Sequence, residues 1–362
     1  MSKGRVLMAM SGGIDSTVAA MLLIEEGYEL EGVTFRIWTD DKQATQKKET
    51  GCGNEDTIEE ARLIAEKFGF AHHILDIRDY FEQVVVQNFI NEYLDGRTPN
   101  PCVICNSSIK WGEVIKKADE LNCDFIATGH YAQIVEKNGC YYIKKGVDTN
   151  KDQSYFLWKL SQDNLKRTLF PLGKLTKPEV RKIAFNKGFI KLSEKQESQE
   201  ICFIPDNNYR QFLKNRVINY KEKCVPGNFI DTSGKVLGKH KGYPNYTIGQ
   251  RKGLEIAVGY PLYVNKINKK ENTVVLGTRE ELFSKVFYIK DFNIMCNNLT
   301  EELDVLVKIR YRNSGGMATL KIEDNFIKVE YYNPVDAITP GQSAVFYQDN
   351  CLIGGGIIDS VD

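Results

Sequence analysis

The chain has 362 residues, 42% of them hydrophobic, enough to bury two or three domain cores without disulfide staples. Nine irregularly spaced cysteines, no signal-like start and no apolar run of bilayer length point to reduced thiols in a cytoplasmic protein and argue against a membrane-spanning one. Lys+Arg and Asp+Glu balance at 48 each, which excludes a uniformly basic nucleic-acid binder, but residues 159–252 hold 20 Lys or Arg against 8 Asp or Glu. Phosphate backbones are bound by local clusters of this kind. A solvated lysine-rich face would give the same count.

In chain order, Arg5 to Met10 reads as a buried strand running into Ser11-Gly12-Gly13-Ile14-Asp15-Ser16, followed by a helix from Ser16 to Glu26. A strand over Leu30 to Phe35, a polar insert from Asp40 to Gly53 and a helix from Asn54 to Phe68 come next. Strand Ala71 to Ile77, helices Tyr80 to Leu94 and Ser107 to Leu121, and strand Asp124 to Thr128 continue the alternation. That alternation predicts an α/β fold with a doubly wound parallel sheet. A hairpin turning at Asn138-Gly139 and three short helical stretches, 153–159, 161–168 and 176–186, follow. After a helix from Tyr209 to Val217 the chain is Gly-, Pro- and Lys-rich with little period to about Gly259. Six strand patterns between Val286 and Ile358 then predict a small all-β barrel. The expected domains are 1–207, 208–279 and 280–362.

The SGGIDS loop carries chemistry. Two glycines let the backbone turn and approach an anion, and the free amides and positive dipole end of the next helix face the same point. Ser11 and Ser16 add hydroxyls, and Asp15 suits a Mg²⁺ ligand bridging to phosphate oxygens. The loop is neither a Walker A sequence nor a dinucleotide G-x-G-x-x-G. Ala9, Met10, Ser11, Gly12, Gly13, Ile14, Asp15 and Ser16 resemble the signature of N-type ATP pyrophosphatases, which split ATP between its α- and β-phosphates. That likeness puts Phe35 beside the adenine and Gly129 against the nucleotide.

Two cysteine segments stand out. Gly96 to Asn106 is a proline-held loop in which Cys105 precedes the predicted helix, where the dipole favours thiolate. Cys102 and Cys105 form C-x-x-C, but no matching second pair of zinc ligands exists and no thioredoxin-like βαβ pattern follows. Cys202, between Ile201 and Phe203, reads in isolation as a small core hydrophobe.

Taken together, GRTPNPCVICN (96–106), ATGHY (127–131), NKDQSYFL (150–157), FPLG (170–173), SQEICFI (198–204), TIGQRKGL (247–254), RYR (310–312) and TPGQSAVFY (339–347) resemble the tRNA-specific 2-thiouridylase family. The likeness runs in one order from residue 5 to about 359. It implies ATP-dependent 2-thiolation of the wobble uridine in the tRNA anticodon stem-loop: adenylylation of the C2 oxygen, then sulfur transfer from a cysteine persulfide, with AMP and pyrophosphate released. Cys105 matches the family nucleophile and Cys202 the persulfide carrier, and a transient Cys105–Cys202 disulfide is implied. Asn100, Pro101 and Cys102 match the segment receiving the target base. Some relatives carry Asp where Cys102 stands, and Cys102 is expected to be a bystander. His130, Lys151, Asp152, Gln153, Tyr311, Arg312 and Gln342 match tRNA contacts. The implied partners are tRNA and a persulfide sulfur donor or relay protein, and the implied ligands are ATP and Mg²⁺. The rival readings are another SGGxDS ligase, of argininosuccinate- or GMP-synthetase type, and a non-catalytic tRNA-binding module.

Overall fold

A computed structural model of the chain describes residues 2–37, 53, 55–194, 201–204, 207–296, 302–323 and 325–362. The expected insert from Asp40 to Gly53 therefore lies outside the described residues except at its final glycine. The chain divides into two compact units, one holding residues 1–85, 102–207 and 349–353, the other 86–101, 208–348 and 354–362.

The first unit is built on a five-stranded parallel sheet. Its strands are β1 (Arg5–Ala9), β2 (Glu29–Arg36), β3 (Ala71–Asp76), β4 (Phe125–Ala127) and, after the hairpin β5 (Ala132–Lys137) and β6 (Cys140–Lys145), β7 (Thr168–Leu169). Their order is β3-β2-β1-β4-β7, with β1 flanked on both sides. Central strands of a parallel sheet are covered on both faces, and Val6, Leu7 and Met8 are accordingly 0% exposed. The connection from β1 to β2 is helix α1 (Ile14–Glu25), and that from β2 to β3 contains α2 (Glu55–Phe68). Val18, Ala19, Met21 and Leu23 of α1 join Ala61, Ile64 and Ala65 of α2 in one apolar core. The β5–β6 hairpin turns at Asn138 and Gly139, both at positive φ, as a two-residue turn between twisted strands requires.

The cysteine loop differs from expectation. Helix begins at Pro101, not Ser107, and continues through a wide π-helical stretch, Cys105–Trp111, to Glu120. Proline suits the first helical position because its missing N–H would have no intrahelical partner there. Asn100 precedes a proline, a position that disfavours helical backbone. Cys105 thus lies one turn inside the helix, beyond the strongest reach of the dipole. Cys102 is the thiol in the first turn.

The second unit holds the helix Gln87–Leu94, whose Phe89 meets Phe212 edge-on at 5.9 Å and whose Tyr93 stacks on Tyr209 at 4.5 Å. The segment expected to be irregular folds into a four-stranded sheet: β8 (Gly227–Asp231), β9 (Val236–His240), β10 (Tyr263–Asn268) and β11 (Thr273–Gly277), in the order β10-β11-β8-β9. Phe229, Val264, Val274 and Leu276 give it a core of its own. The predicted barrel is present and closed. Its strands are β12 (Phe283–Ile294), β13 (Glu302–Lys308), β14 (Gly316–Ile322), β15 (Ile327–Asp336), β16 (Ser343–Gln348) and β17 (Cys351–Val361). They run in the order β12-β15-β14-β13-β16-β17, and β17 pairs back on β12. No helix among the described residues is long and apolar enough to cross a membrane.

Candidate active site

In parallel α/β sheets, ligands bind outside the carboxyl ends of the strands, and the loop after β1 occupies that edge. Met10 extends the pairing through its N–H to Val33 O at 2.8 Å, and the chain then turns with Gly12 at φ +68. Gly13 caps α1 in extended backbone, and no described side chain makes a capping hydrogen bond to the first-turn amides. Helix amides of the first turn lack intrahelical acceptors, so this bare end presents donors to an anion. Inside the turn, Ser11 N donates to Ser16 Oγ at 3.2 Å and Ser16 Oγ donates to Gly13 O at 3.0 Å. The same turn is closed from the β4 side by Gly129. A Cβ there would stand 2.9 Å from Asp15 C and 3.0 Å from Ser16 N, so only glycine allows this approach. Phe35, half-buried, ends the neighbouring strand β2 on the same edge.

Two residues that sequence reasoning missed hold Asp15. Tyr131 Oη donates to Asp15 Oδ1 at 2.7 Å, and Lys177 Nζ donates to the same oxygen at 2.7 Å. The Lys177 side chain is only 7% exposed, while that of Asp15 is 34% exposed. A buried ammonium requires a partner, and Asp15 supplies it. Lys177 opens the helix Lys177–Asn186 beside Pro178, in a Thr176-Glu179 capping box. Oδ1 takes both donors and no described residue donates to Oδ2. A single carboxylate oxygen facing bound phosphates is the kind of protein ligand Mg²⁺ accepts. Among the described residues no group of three or more His, Cys, Asp or Glu could hold a metal without such phosphates.

Asn106, beside Cys105, is 3% exposed and donates from Nδ2 to Phe156 O at 3.1 Å, pinning the π turn to the segment after Gln153. π turns interrupt helices frequently at functional positions. Cys105 and Cys202 are half-buried and Cys102 is exposed, and all three carry thiols. Around Cys202, only Ile201–Ile204 lies within the described residues of SQEICFI. Phe203 and Ile204 are buried, Phe203 against Phe81 at 5.9 Å.

His130 is buried, with Trp111 at 5.7 Å and Phe170 at 6.1 Å. Burial, then the nearby Lys110 ammonium, holds its pKa well below the ordinary imidazole range. Lys110 Nζ lies 3.5 Å from Nε2 and can only donate, so Nε2 accepts and Nδ1–H donates to Thr128 Oγ1 at 2.7 Å. The Asp152 carboxylate is buried and accepts from Gly146 N at 3.1 Å and from Ser154 N at 3.2 Å. Gln153 Oε1 accepts from Tyr131 N at 3.0 Å. Lys151 is half-buried in the turn before them. In the second unit Tyr311 is half-buried and Arg312 exposed in the turn after β13. Gln342 donates from Nε2 to Thr98 O and Pro99 O at 3.1 and 2.9 Å, and Asn100 Nδ2 reaches Ser343 Oγ at 3.5 Å.

A parallel sheet with a bare helix end at its carboxyl edge and two β-rich modules after it defines a nucleotide-loop α/β enzyme with appended β domains. Residues 4–206 match the family described as tRNA methyl transferase HUP domain, 210–278 its PRC-barrel domain, and 284–358 the aminomethyltransferase beta-barrel domain. Over 360 residues the chain is 52% identical to the tRNA-specific 2-thiouridylase of Amoebophilus asiaticus, covering 99% of this chain and 96% of that one. It is 51% identical to the same enzyme of Cytophaga hutchinsonii (99% and 98% covered) and 48% identical to that of Halothermothrix orenii (98% of each). The chain belongs to the tRNA-specific 2-thiouridylase family.

Proposed function

We propose that the protein is an ATP-dependent tRNA sulfurtransferase that makes 2-thiouridine at the wobble position of the anticodon loop. The observation that carries the reading is the strand–SGGIDS–helix turn closed by Gly129, a polyphosphate cradle in a chain whose full-length relatives are 2-thiouridylases. Residues 9–16 would hold ATP, with Phe35 toward its adenine, and Asp15 would hold the Mg²⁺ that offsets phosphate charge. The uridine C2 oxygen attacks the α-phosphorus and pyrophosphate leaves, which converts a poor leaving group into AMP. The terminal sulfur of a Cys202 persulfide bonds to C2 as the C2–O bond breaks and AMP departs. Cys105 thiolate then attacks Cys202 Sγ. The S–S bond to the transferred sulfur breaks, 2-thiouridine is freed, and a Cys105–Cys202 disulfide remains for an external thiol to reduce. The terminal sulfur comes from an external persulfide donor or relay protein.

Asn100, Pro101 and Cys102 receive the target base, which must leave its stack at a cost lower in a loop than in a duplex. Lys151, Tyr311 and Arg312 suit unstacked anticodon bases. The lysine and arginine excess of residues 159–252 would supply charge for the phosphate backbone. Methyl transfer, the reaction in the matching domain descriptions, is the second reading; it calls for neither a polyphosphate cradle nor a thiol. One experiment separates the two. Protein, ATP, Mg²⁺, a low-molecular-weight persulfide, S-adenosylmethionine and unmodified tRNA are incubated, and the digested nucleosides are weighed by mass spectrometry. A 2-thiouridine product with AMP and pyrophosphate is expected. ADP in place of AMP, or a methylated base, would overturn the proposal.

A further inference from the structure

Within the second unit, the loop ahead of Pro101 is fastened to the barrel at four successive residues. Arg97 donates from Nε to Glu92 Oε2 at 2.9 Å, from Nη2 to Ile358 O at 3.1 Å and from Nη1 to Asp359 O at 3.3 Å. Thr98 N donates to Pro340 O at 2.9 Å. Gln342 Nε2 donates to both Thr98 O and Pro99 O, and Asn100 reaches Ser343. The strand end that carries these groups is itself locked, since Gly341 N donates to Ile358 O at 2.8 Å and Ile358 N to Gln342 O at 2.9 Å. Gly341 sits at φ +91, and a Cβ there would stand 2.7 Å from Thr98 O. The loop and the T-P-G-Q turn are therefore in backbone contact, with no room for a side chain between them.

The donor inventory decides what Gln342 does. A carboxamide nitrogen carries two hydrogens, and both point at loop carbonyls. Arg97 likewise aims its guanidinium at groups of its own unit and is 23% exposed at the side chain. We propose that Gln342 and Arg97 are positioning residues for thiolation, acting through the main chain of Thr98 and Pro99 to hold Asn100. The proposal rests on the reading that Asn100 and Pro101 receive the base. Pro99 and Pro101 stiffen the loop on either side of Asn100, so a shift imposed at Thr98–Pro99 is passed on rather than absorbed. Reacting groups held loosely by about 1 Å can lose on the order of 10²-fold in rate.

The test compares Gln342→Met and Gly341→Ala with the wild-type full chain. Three quantities are measured: tRNA affinity by filter binding, single-turnover 2-thiouridine formation at saturating tRNA, and amide hydrogen exchange of residues 97–100. Gln342→Met is expected to slow single-turnover formation about tenfold, the order expected for two neutral hydrogen bonds. Its tRNA affinity stays within about twofold, and exchange at Thr98 accelerates while the barrel strands keep wild-type protection. Gly341→Ala is expected to give the same signature more strongly, because it adds backbone strain. A raised Kd for tRNA with an unchanged single-turnover rate would show a direct tRNA contact and overturn the proposal, as would unchanged rate, affinity and exchange. Asn100→Ala tests the underlying reading separately. If it thiolates at the wild-type rate, the base-receiving role fails, and the exchange signature still reports on the clamp alone.

Discussion

Lys177 and Tyr131 meet on one oxygen: both donate to Asp15 Oδ1 at 2.7 Å, from 162 and 116 residues further along the chain, at the first turn of α1. The pairing neutralises a carboxylate that would otherwise repel the polyphosphate drawn to this helix end. Replacing Lys177 with Met leaves that charge uncompensated. Affinity for ATP should fall about tenfold or more, the order expected for an unscreened like charge a few ångströms from phosphate. AMP, lacking the β- and γ-phosphates, should bind within about twofold of wild type. Isothermal titration with a non-hydrolysable ATP analogue and with AMP checks this, and equal losses for both would count against the charge argument.

The three thiols should separate by role. Cys202→Ser and Cys105→Ser are each expected to abolish 2-thiouridine formation while tRNA affinity is retained. Cys102→Ser should retain activity within about an order of magnitude, since a serine preserves size at an exposed first-turn position. Mass analysis of the digested tRNA ranks them. A Cys102 variant worse than the Cys105 variant would reverse the nucleophile assignment.

His130 predicts an acid limb in stability. Its folded pKa is depressed and the unfolded value is near 6.5, so the unfolded chain binds the proton more readily. Stability is full above pH 6.5 and is lost as pH falls from there toward the folded pKa, at about 1.4 kcal/mol per pH unit for one such group. Burial also depresses His72 and His240, so they add to the same limb. Melting curves between pH 7.5 and 5 should show a shallower decline for His130→Gln than for wild type. Identical slopes would mean that the imidazole is not kept neutral by its pocket.

Binding of tRNA should weaken steeply with salt, as counterion release from several phosphate contacts requires. Measuring Kd from about 50 to 200 mM KCl gives the slope. A flat response would remove the role assigned to residues 159–252.

The alternation of strands and helices was legible because buried parallel strands read as apolar runs, as Val6-Leu7-Met8 does. The phosphate loop was legible because its glycines have no other economical use between a strand and a helix. The four-stranded sheet of residues 227–277 was not, since strands such as Val236–His240 interleave glycine and lysine and show no clean alternation of buried and exposed positions. Helix initiation at Pro101 was hidden by two flanking prolines that also suit a loop. Lys177 and Tyr131 were invisible for a different reason: they lie 162 and 116 residues from Asp15, and only the sheet order brings them to it. The family resemblance gives His130 and Asp152 as tRNA contacts, and the fold buries both side chains.

The anchoring of Arg97 on Ile358 and Asp359 has a consequence for biosynthesis. Translation delivers residues 86–101 long before the barrel strand that fastens them. Until the ribosome has passed residue 359, the Arg97–Asn100 loop lacks its anchors, so a nascent or prematurely terminated chain can complete the Ser11–Ser16 cradle without a fixed 97–100 loop. Under the proposed function, nucleotide binding would then mature before the ability to modify RNA.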